Sequence, residues 1–214
     1  SLRFIFVPET IGAISYIKKN LKSLKKNVFA GYSITRIGDE RTYSFLSTKF
    51  ENTISDKAAF KAFKDLNLNF KRYNFFEHKG SDERQFNSPG VDIPMAAIMR
   101  SRSYPEYHTS LDNFKLVTKK GLEGGYNVME KIIFILLNNC KPKAKYLCEP
   151  QMGRRNLYSV WGQDKSWNYT KYLMNFLQYA DGKKDLIDIS EIMKIDFTKT
   201  LEIYKTLKKN KLLN

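Results

Sequence analysis

The feature that most constrains the fold is an alternation, over the first two thirds of the chain, between short apolar runs and segments of helical periodicity. The first run, residues 2–7, is almost uninterrupted, which is typical of a strand buried on both faces. Further strands are predicted at 28–37, 43–46, 69–76 and 93–99, and helices at 14–25, 56–66 and 111–139. Strands that alternate with helices predict an α/β fold with helices on the faces of a sheet.

The last third of the chain has a different pattern. Three short amphipathic segments follow one another at 172–179, 186–193 and 198–209. Three helices with a tight turn before the last are typical of a helix-turn-helix or winged-helix module. We therefore predict two domains: an α/β domain at residues 1–145 and a small winged-helix-like α(+β) domain at residues 146–214.

Charge and cysteine content narrow the classes of function. The 214-residue chain has a formal net charge of +15, but its lysines are scattered as single residues and short pairs without an RNA-binding or zinc-finger pattern. No apolar run is long enough to span a membrane, and no secretory signal is visible. The two cysteines fit neither a disulfide framework nor a Cys-x-x-Cys metal pair, so we predict a cytoplasmic protein without membrane partners. Because the sequence begins at Ser1, without Met and within a predicted strand, we expect it to be part of a longer protein.

Polar and charged residues follow the predicted strands. They stand at Glu9 and at residues 39–41, 81–84 and 106–108. In open α/β sheets, ligands bind outside the carboxyl ends of the strands. Four clusters at equivalent positions therefore predict one convergent site.

Two residues are the main candidates for chemistry at that site. The chain has two histidines; His78 lies between charged residues and is interpreted as solvated, whereas His108 lies in a turn before a predicted helix. Glu9 follows a predicted buried strand, where an unpaired carboxylate is costly. Glu9, His108 and a further acid would suit a hydrolytic zinc site, which needs a few fixed ligands and an open position. Arg41 and Arg84, each beside acids, either hold those carboxylates, clamp a substrate carboxylate, or make only surface ion pairs.

Three motifs, in order, resemble those of a known family. They are FIFVPETIG at residues 4–12, GSDERQF with PGVDIP between residues 80 and 94, and YHTSLD at residues 107–112. The sequence resembles the zinc-aminopeptidase-like proteins of the M28 peptidase type, in a subgroup with a domain of unknown function and a C-terminal winged helix. The resemblance implies that this chain covers the C-terminal half of such a protein, with part of its mixed sheet.

The resemblance also implies roles for individual residues. His108 would be a zinc ligand, and Asp82 an acid that handles protons near the substrate amine. Asp82, Glu83 and Arg84 are the candidate catalytic residues, although Glu83 stands where the family has histidine. The Asp that the family places near the end of the second strand corresponds to Thr35, and Asp39 could substitute for it only through a shifted loop. These departures make a single zinc ion the alternative to the family's pair.

The role of Glu9 depends on how the family's pair of adjacent glutamates is aligned. A direct alignment makes Glu9 the general base and puts Thr10 in the place of the ligand. A shift by one residue makes Glu9 the metal ligand and puts Pro8 in the place of the base. We favour the ligand, because Glu9 and His108 together are closer to a workable site than His108 alone. The family's first metal His and its bridging Asp lie ahead of this turn and are not in the sequence.

The sequence therefore supports three hypotheses. The first is a zinc-dependent aminopeptidase-like hydrolase, with one or two zinc ions in the full-length protein and a peptide or small amide as substrate. The second is a catalytically altered binding or regulatory protein with the same fold. The third is DNA or protein contact through the winged helix, where lysines of the last predicted helix would meet phosphates. They are Lys199, Lys205, Lys208 and Lys209.

Overall fold

A computed structural model of the protein describes residues 1–157 and 164–214. The chain divides into two compact units, Ser1–Ile132 and Ile133–Asn214. The predicted domain boundary, between residues 145 and 146, lies within the second unit, and the range predicted for the winged helix includes residues 158–163, which lie outside the described residues.

The first unit is built on a four-stranded mixed sheet. Its strands are β1 (Gly31–Ile34), β2 (Tyr43–Leu46), β3 (Phe70–Tyr73) and β4 (Met95–Met99), in the spatial order β1-β4-β2-β3. β1 is parallel to β4 and β2 is parallel to β3, whereas β2 and β4 are antiparallel. The predicted α/β fold class with a mixed sheet is confirmed.

Helices pack around this sheet. They are α1 (Ile11–Asn27), α2 (Ile54–Asp65), α3 (Phe75–His78), α4 (Glu83–Phe86) and α5 (Lys119–Asn138). The apolar stripe of α1 buries Ala13, Ile17 and Leu24 in one cluster with Phe86 and Ile93. This packing connects α1 to α4, and therefore places the turn before α1 beside the turn before α4.

Helix α2 begins with a capping box and covers the aromatic part of the core. The Thr53 hydroxyl accepts from the Asp56 N–H, and the Asp56 carboxylate accepts from the Thr53 N–H. Further along the helix, the buried Phe63 ring stacks on Phe70 with centroids 4.4 Å apart and meets Phe45 edge to face. The cap and the aromatic contacts fix α2 against β2 and β3.

The apolar run at residues 2–7 is not a strand, so that prediction was wrong. The Phe4 and Phe6 side chains are 73% and 93% exposed. A strand needs a neighbour for its backbone hydrogen bonds, and no strand of the described residues pairs with this run. The helix predicted from residue 111 begins only at Lys119, because residues 104–118 form turns instead.

Within the described residues, the second unit contains three successive α-helices after residue 163; the second and third begin within one residue of the predicted positions, whereas the first begins ahead of the predicted residue 172. They are α6 (Asp164–Tyr179), α7 (Leu186–Met193) and α8 (Phe197–Lys209). Asp185 and Asp196 are the N-caps of α7 and α8, and accept from the backbone N–H groups of Asp188 and Lys199. Their apolar faces form one core of fully buried side chains, which includes Leu173, Phe176, Leu186, Ile189, Phe197, Ile203 and Leu207. None of the helices described in either unit has the length and apolarity needed to cross a membrane.

Candidate functional site

Two turns that are distant in the sequence meet at the start of α1. The Ser81 hydroxyl donates to Oε1 of Glu9 at 2.6 Å, and the backbone N–H of Thr10 donates to Oδ1 of Asp82 at 2.7 Å. Thr10 has a φ of 64°, in the left-handed region that a β-branched residue rarely adopts. The turn that carries Glu9 is therefore held to the turn that carries Asp82 by hydrogen bonds on both of its last residues.

Glu83 supports the second turn from inside the protein. Its side chain is buried, and Oε1 accepts from the backbone N–H groups of Gly80 at 2.7 Å and Ser81 at 3.0 Å. Its other oxygen, Oε2, is buried and has no hydrogen-bond partner within the described residues. Arg84 is exposed and donates to the Thr10 hydroxyl at 3.4 Å. The structure thus brings together four of the predicted site residues: Glu9, Asp82, Glu83 and Arg84.

His108 lies on a different loop, which is held by charged and aromatic contacts. Arg41 donates to both carboxylate oxygens of Glu106, at 2.9 and 2.7 Å. This pairing lowers the pKa of Glu106 to about 2. Burial, together with the hydrogen bond that its hydroxyl donates to Asp112, raises the pKa of Tyr104 to about 12. His108 itself is exposed, and its ring lies 3.9 Å from that of Tyr107.

Asp39, which we considered as a substitute for the acid missing at Thr35, has structural partners instead. Its buried carboxylate accepts from the N–H and the hydroxyl of Ser101, at 2.8 and 2.7 Å, and from the N–H of Arg41 at 2.9 Å. These bonds join the β1–β2 loop to the end of β4. Arg41, one of the predicted carboxylate holders, is thereby positioned for Glu106.

Two arginines that sequence reasoning missed lie between the two candidate loops. Arg36 donates to the backbone oxygen of Arg102 at 2.8 Å, and its guanidinium lies 5.1 Å from the Tyr107 ring centroid. Arg102 donates to the backbone oxygen of His78 at 2.8 Å, three residues before Ser81. A series of contacts thus leads from the loop of His108, through both arginines, to the segment that contacts Glu9. Their position just after β1 and β4 was the signal available in the sequence.

A complete zinc site is not formed by the residues described here. A catalytic zinc ion needs about three protein ligands, and residues 1–157 and 164–214 contain no group of three or more His, Cys, Asp or Glu side chains that could hold a metal ion. Glu9 contacts Ser81, and His108 contacts Tyr107. The donor set of these residues alone therefore does not fit the metal that the family resemblance implies.

Two proteins of Clostridium acetobutylicum are similar to most of this chain. A protein of Clostridium acetobutylicum, described as a candidate polysaccharide biosynthesis protein with an aminopeptidase-like domain, is 36% identical over 197 residues, which cover 89% of this chain and 44% of the relative. The crystal structure of a candidate peptidase from Clostridium acetobutylicum matches with a TM-score of 0.85 and 32% identity, over 97% of this chain and 46% of that one.

A further structure, with low sequence identity, is similar to part of this chain in fold only. The aminopeptidase from Aneurinibacillus sp. strain AM-1 matches 58% of this chain and 30% of its own, with a TM-score of 0.51 and 16% identity. The chain therefore spans less than half the length of each of the three proteins.

Two families account for the chain in sequence. Residues 139–214 match a winged helix-turn-helix family, which confirms the predicted C-terminal module. Residues 1–139, more than half of the chain, match the family described as a domain of unknown function, DUF4910. The chain belongs to the DUF4910 family.

Proposed function

We propose that the protein containing this chain is a zinc-dependent, aminopeptidase-like hydrolase that cleaves the N-terminal residue from a peptide or a related small amide. The observation that carries the proposal is the pair of hydrogen bonds that joins the Glu9 turn to the Asp82 turn across 72 residues. Relatives described as aminopeptidase-like and peptidase support the class of reaction. In this proposal Glu9 and His108 are two zinc ligands, and segments of the longer protein supply the others.

Asp82 has the chemistry to bind the substrate's amino group. Its Oδ1 accepts from Thr10, and the side chain is only partly buried. A carboxylate beside the Glu9 carboxylate favours a protonated amine, which is the end of a peptide that an aminopeptidase must recognise. Arg84, which contacts Thr10 on the same turn, would offer its remaining N–H groups to a substrate carbonyl or carboxylate. Glu83 supports both residues through the 80–81 backbone.

The replacement Asp82→Asn in the intact protein tests this role. Asparagine keeps an oxygen that can accept from Thr10 but removes the charge, so kcat/KM for release of an N-terminal residue is expected to fall roughly tenfold or more. Asp92→Asn is the matched control, because Asp92 is exposed and pairs with Lys49 away from this turn. Equal activity of the two variants would show that Asp82 is not part of the site. If the intact protein released no N-terminal residue from any peptide of a varied panel, the proposed hydrolase activity would be contradicted.

One observation favours a second candidate, a binding or regulatory protein with the same fold. Within the described residues no three-ligand metal group is present. In this proposal the winged helix mediates protein or DNA contact through the exposed Lys205, Lys208 and Lys209 of α8. Metal-free intact protein that binds a peptide without cleaving it would favour this candidate. Retention on DNA that decreases steeply with salt would assign the contact to nucleic acid.

We also propose a cytoplasmic location. Cys140 and Cys148 are free thiols, as is usual for proteins of a reducing compartment. Fractionation of cells that produce the intact protein checks this proposal, with recovery outside the cytoplasm as the contrary result.

A further inference from the structure

We propose that Arg36 and Arg102 form a binding site for an oxyanion, a carboxylate or a phosphate group, between the His108 loop and the His78–Ser81 segment. The site is independent of any hydrolysis and does not require a metal. Arg36 follows β1 and Arg102 follows its parallel neighbour β4, so the sheet places the two residues next to each other. Arg36 donates to the Arg102 backbone oxygen at 2.8 Å, which fixes the distance between the two residues.

Neither arginine forms an ion pair with an acid among the described residues. The ion pairs formed by the described residues of the first unit use other cations, and two acids of the adjoining loops have partners of their own. Glu106 is paired with Arg41, and the buried Asp39 carboxylate accepts from Ser101 and Arg41. Partly buried cations without a counter-charge carry a cost in solvation, which a bound anion would offset.

One donor of this pair is buried and unused. Nε of Arg102 is inaccessible to solvent and has no hydrogen-bond partner within the described residues. The same guanidinium donates through Nη2 to the backbone oxygen of His78 at 2.8 Å and lies 5.1 Å from the Tyr73 ring centroid. Buried N–H groups are nearly always paired, so an unpaired one beside a second arginine indicates a ligand that completes it.

The surroundings restrict how such a ligand approaches. Tyr107 lies against the Arg36 guanidinium and Tyr73 against that of Arg102, so an aromatic ring covers a face of each cation. Part of each in-plane edge is already used: Arg36 donates through Nη1 to the Arg102 backbone oxygen and through Nη2 to Met99 Sδ at 3.2 Å, and Arg102 donates through Nη2 to the His78 oxygen. The remaining N–H groups along these edges are the route for a ligand, and approach along a guanidinium edge is the geometry of carboxylates and phosphates. Arg36 also has a φ of 49°, a strained backbone that the surrounding fold must maintain.

Titration of the intact protein with three probes tests the proposal. They are inorganic phosphate, N-acetyl-alanine with a free carboxylate, and its neutral amide. The wild-type protein is expected to bind one or both anions saturably and the amide not at all, and the preferred anion identifies the source of the oxyanion. Arg36→Gln and Arg102→Gln should each weaken binding about tenfold or more, because each removes charge-assisted hydrogen bonds.

Two further variants make the result unambiguous. Arg154→Gln, at an exposed arginine of the second unit, removes the same charge and should leave the affinity unchanged. Arg102→Lys keeps the positive charge but lacks the planar set of N–H donors of a guanidinium, so it should bind the anion more weakly than the wild type. This variant also tests the site if a glutamine variant does not fold. Equal affinity in all variants, an equal loss in Arg154→Gln, or no saturable binding of either anion by the wild type would overturn the proposal.

Discussion

The carboxylates at the candidate site differ in burial and in the groups from which they accept hydrogen bonds. Glu83 and Asp39 are buried and accept from backbone N–H groups, whereas Glu9 is exposed and accepts from a hydroxyl. Each of the three stands in a polar cluster that follows a predicted strand, although the run at residues 2–7, ahead of Glu9, is not a strand in the structure. Residue type and position therefore predicted the cluster, but burial, which depends on packing by distant segments, decides the role of each acid.

The support given by Glu83 can be measured. Glu83→Ala removes the acceptor of two backbone N–H groups, and hydrogen bonds to a charged group each contribute about 1.5–3 kcal/mol. We expect the free energy of unfolding to fall by about 2 kcal/mol or more in urea denaturation, together with reduced activity. Glu123→Ala, at an exposed glutamate of α5 that pairs with Lys119 at the surface, should change it by less than about 0.5 kcal/mol. Equal stability of the two variants would show that Glu83 does not hold the turn.

The His108 loop should respond to pH through Glu106. Arg41 holds the pKa of Glu106 at about 2, below its ordinary value of 4.5. The pair therefore stabilises the fold fully above pH 4.5, and its contribution is lost as the pH falls through about 2. Arg41→Gln should return the pKa of Glu106 towards 4.5, as followed by NMR titration of the side-chain carboxyl. Arg3→Gln should not move it, and a low pKa that persists in Arg41→Gln would contradict the assignment.

At the scale of elements, the sequence pattern predicted the bounds of some helices and strands correctly, and in α7 a local interaction marks the start. Strand β2 and helix α7 have the predicted bounds, and a capping box at Asp185 marks the start of α7 within its own sequence. Residues 2–7 were wrongly predicted as a strand because strand formation depends on a neighbour, which apolar composition does not reveal. The Arg36–Arg102 pair was missed for a similar reason, since it joins positions 66 residues apart.

The beginning of α5 is fixed by close contact between backbones. Thr118 donates its N–H to the backbone oxygen of Gly38 at 2.9 Å, and a Cβ at Gly121 would overlap that same carbonyl. Gly121→Ala must therefore separate α5 from the β1–β2 loop, and we expect it to lower the free energy of unfolding by about 1–3 kcal/mol. Gly80→Ala, where a Cβ would come no closer than 4.0 Å to its nearest neighbour, the His78 backbone oxygen, is the control for urea denaturation. A Gly121→Ala protein as stable as the control would contradict this packing.

At the scale of the whole molecule, this chain holds one part of a candidate site. Each of the three similar proteins is more than twice as long as the matched region, and residues 1–157 and 164–214 of this chain contain no three-ligand metal group. The predicted fold class and winged helix are confirmed, whereas the metal remains a prediction that needs residues beyond those described. The proposed zinc-dependent activity therefore requires that Glu9 and His108 act together in the intact protein.

The zinc content of the intact protein tests that requirement most directly. We predict stoichiometric zinc in the wild type, and a marked loss of bound zinc in both Glu9→Ala and His108→Ala. His78→Ala, at the other histidine, should retain the wild-type content. Unchanged zinc in Glu9→Ala and His108→Ala, or a wild-type protein that binds none, would contradict the assignment of these two residues to one metal site.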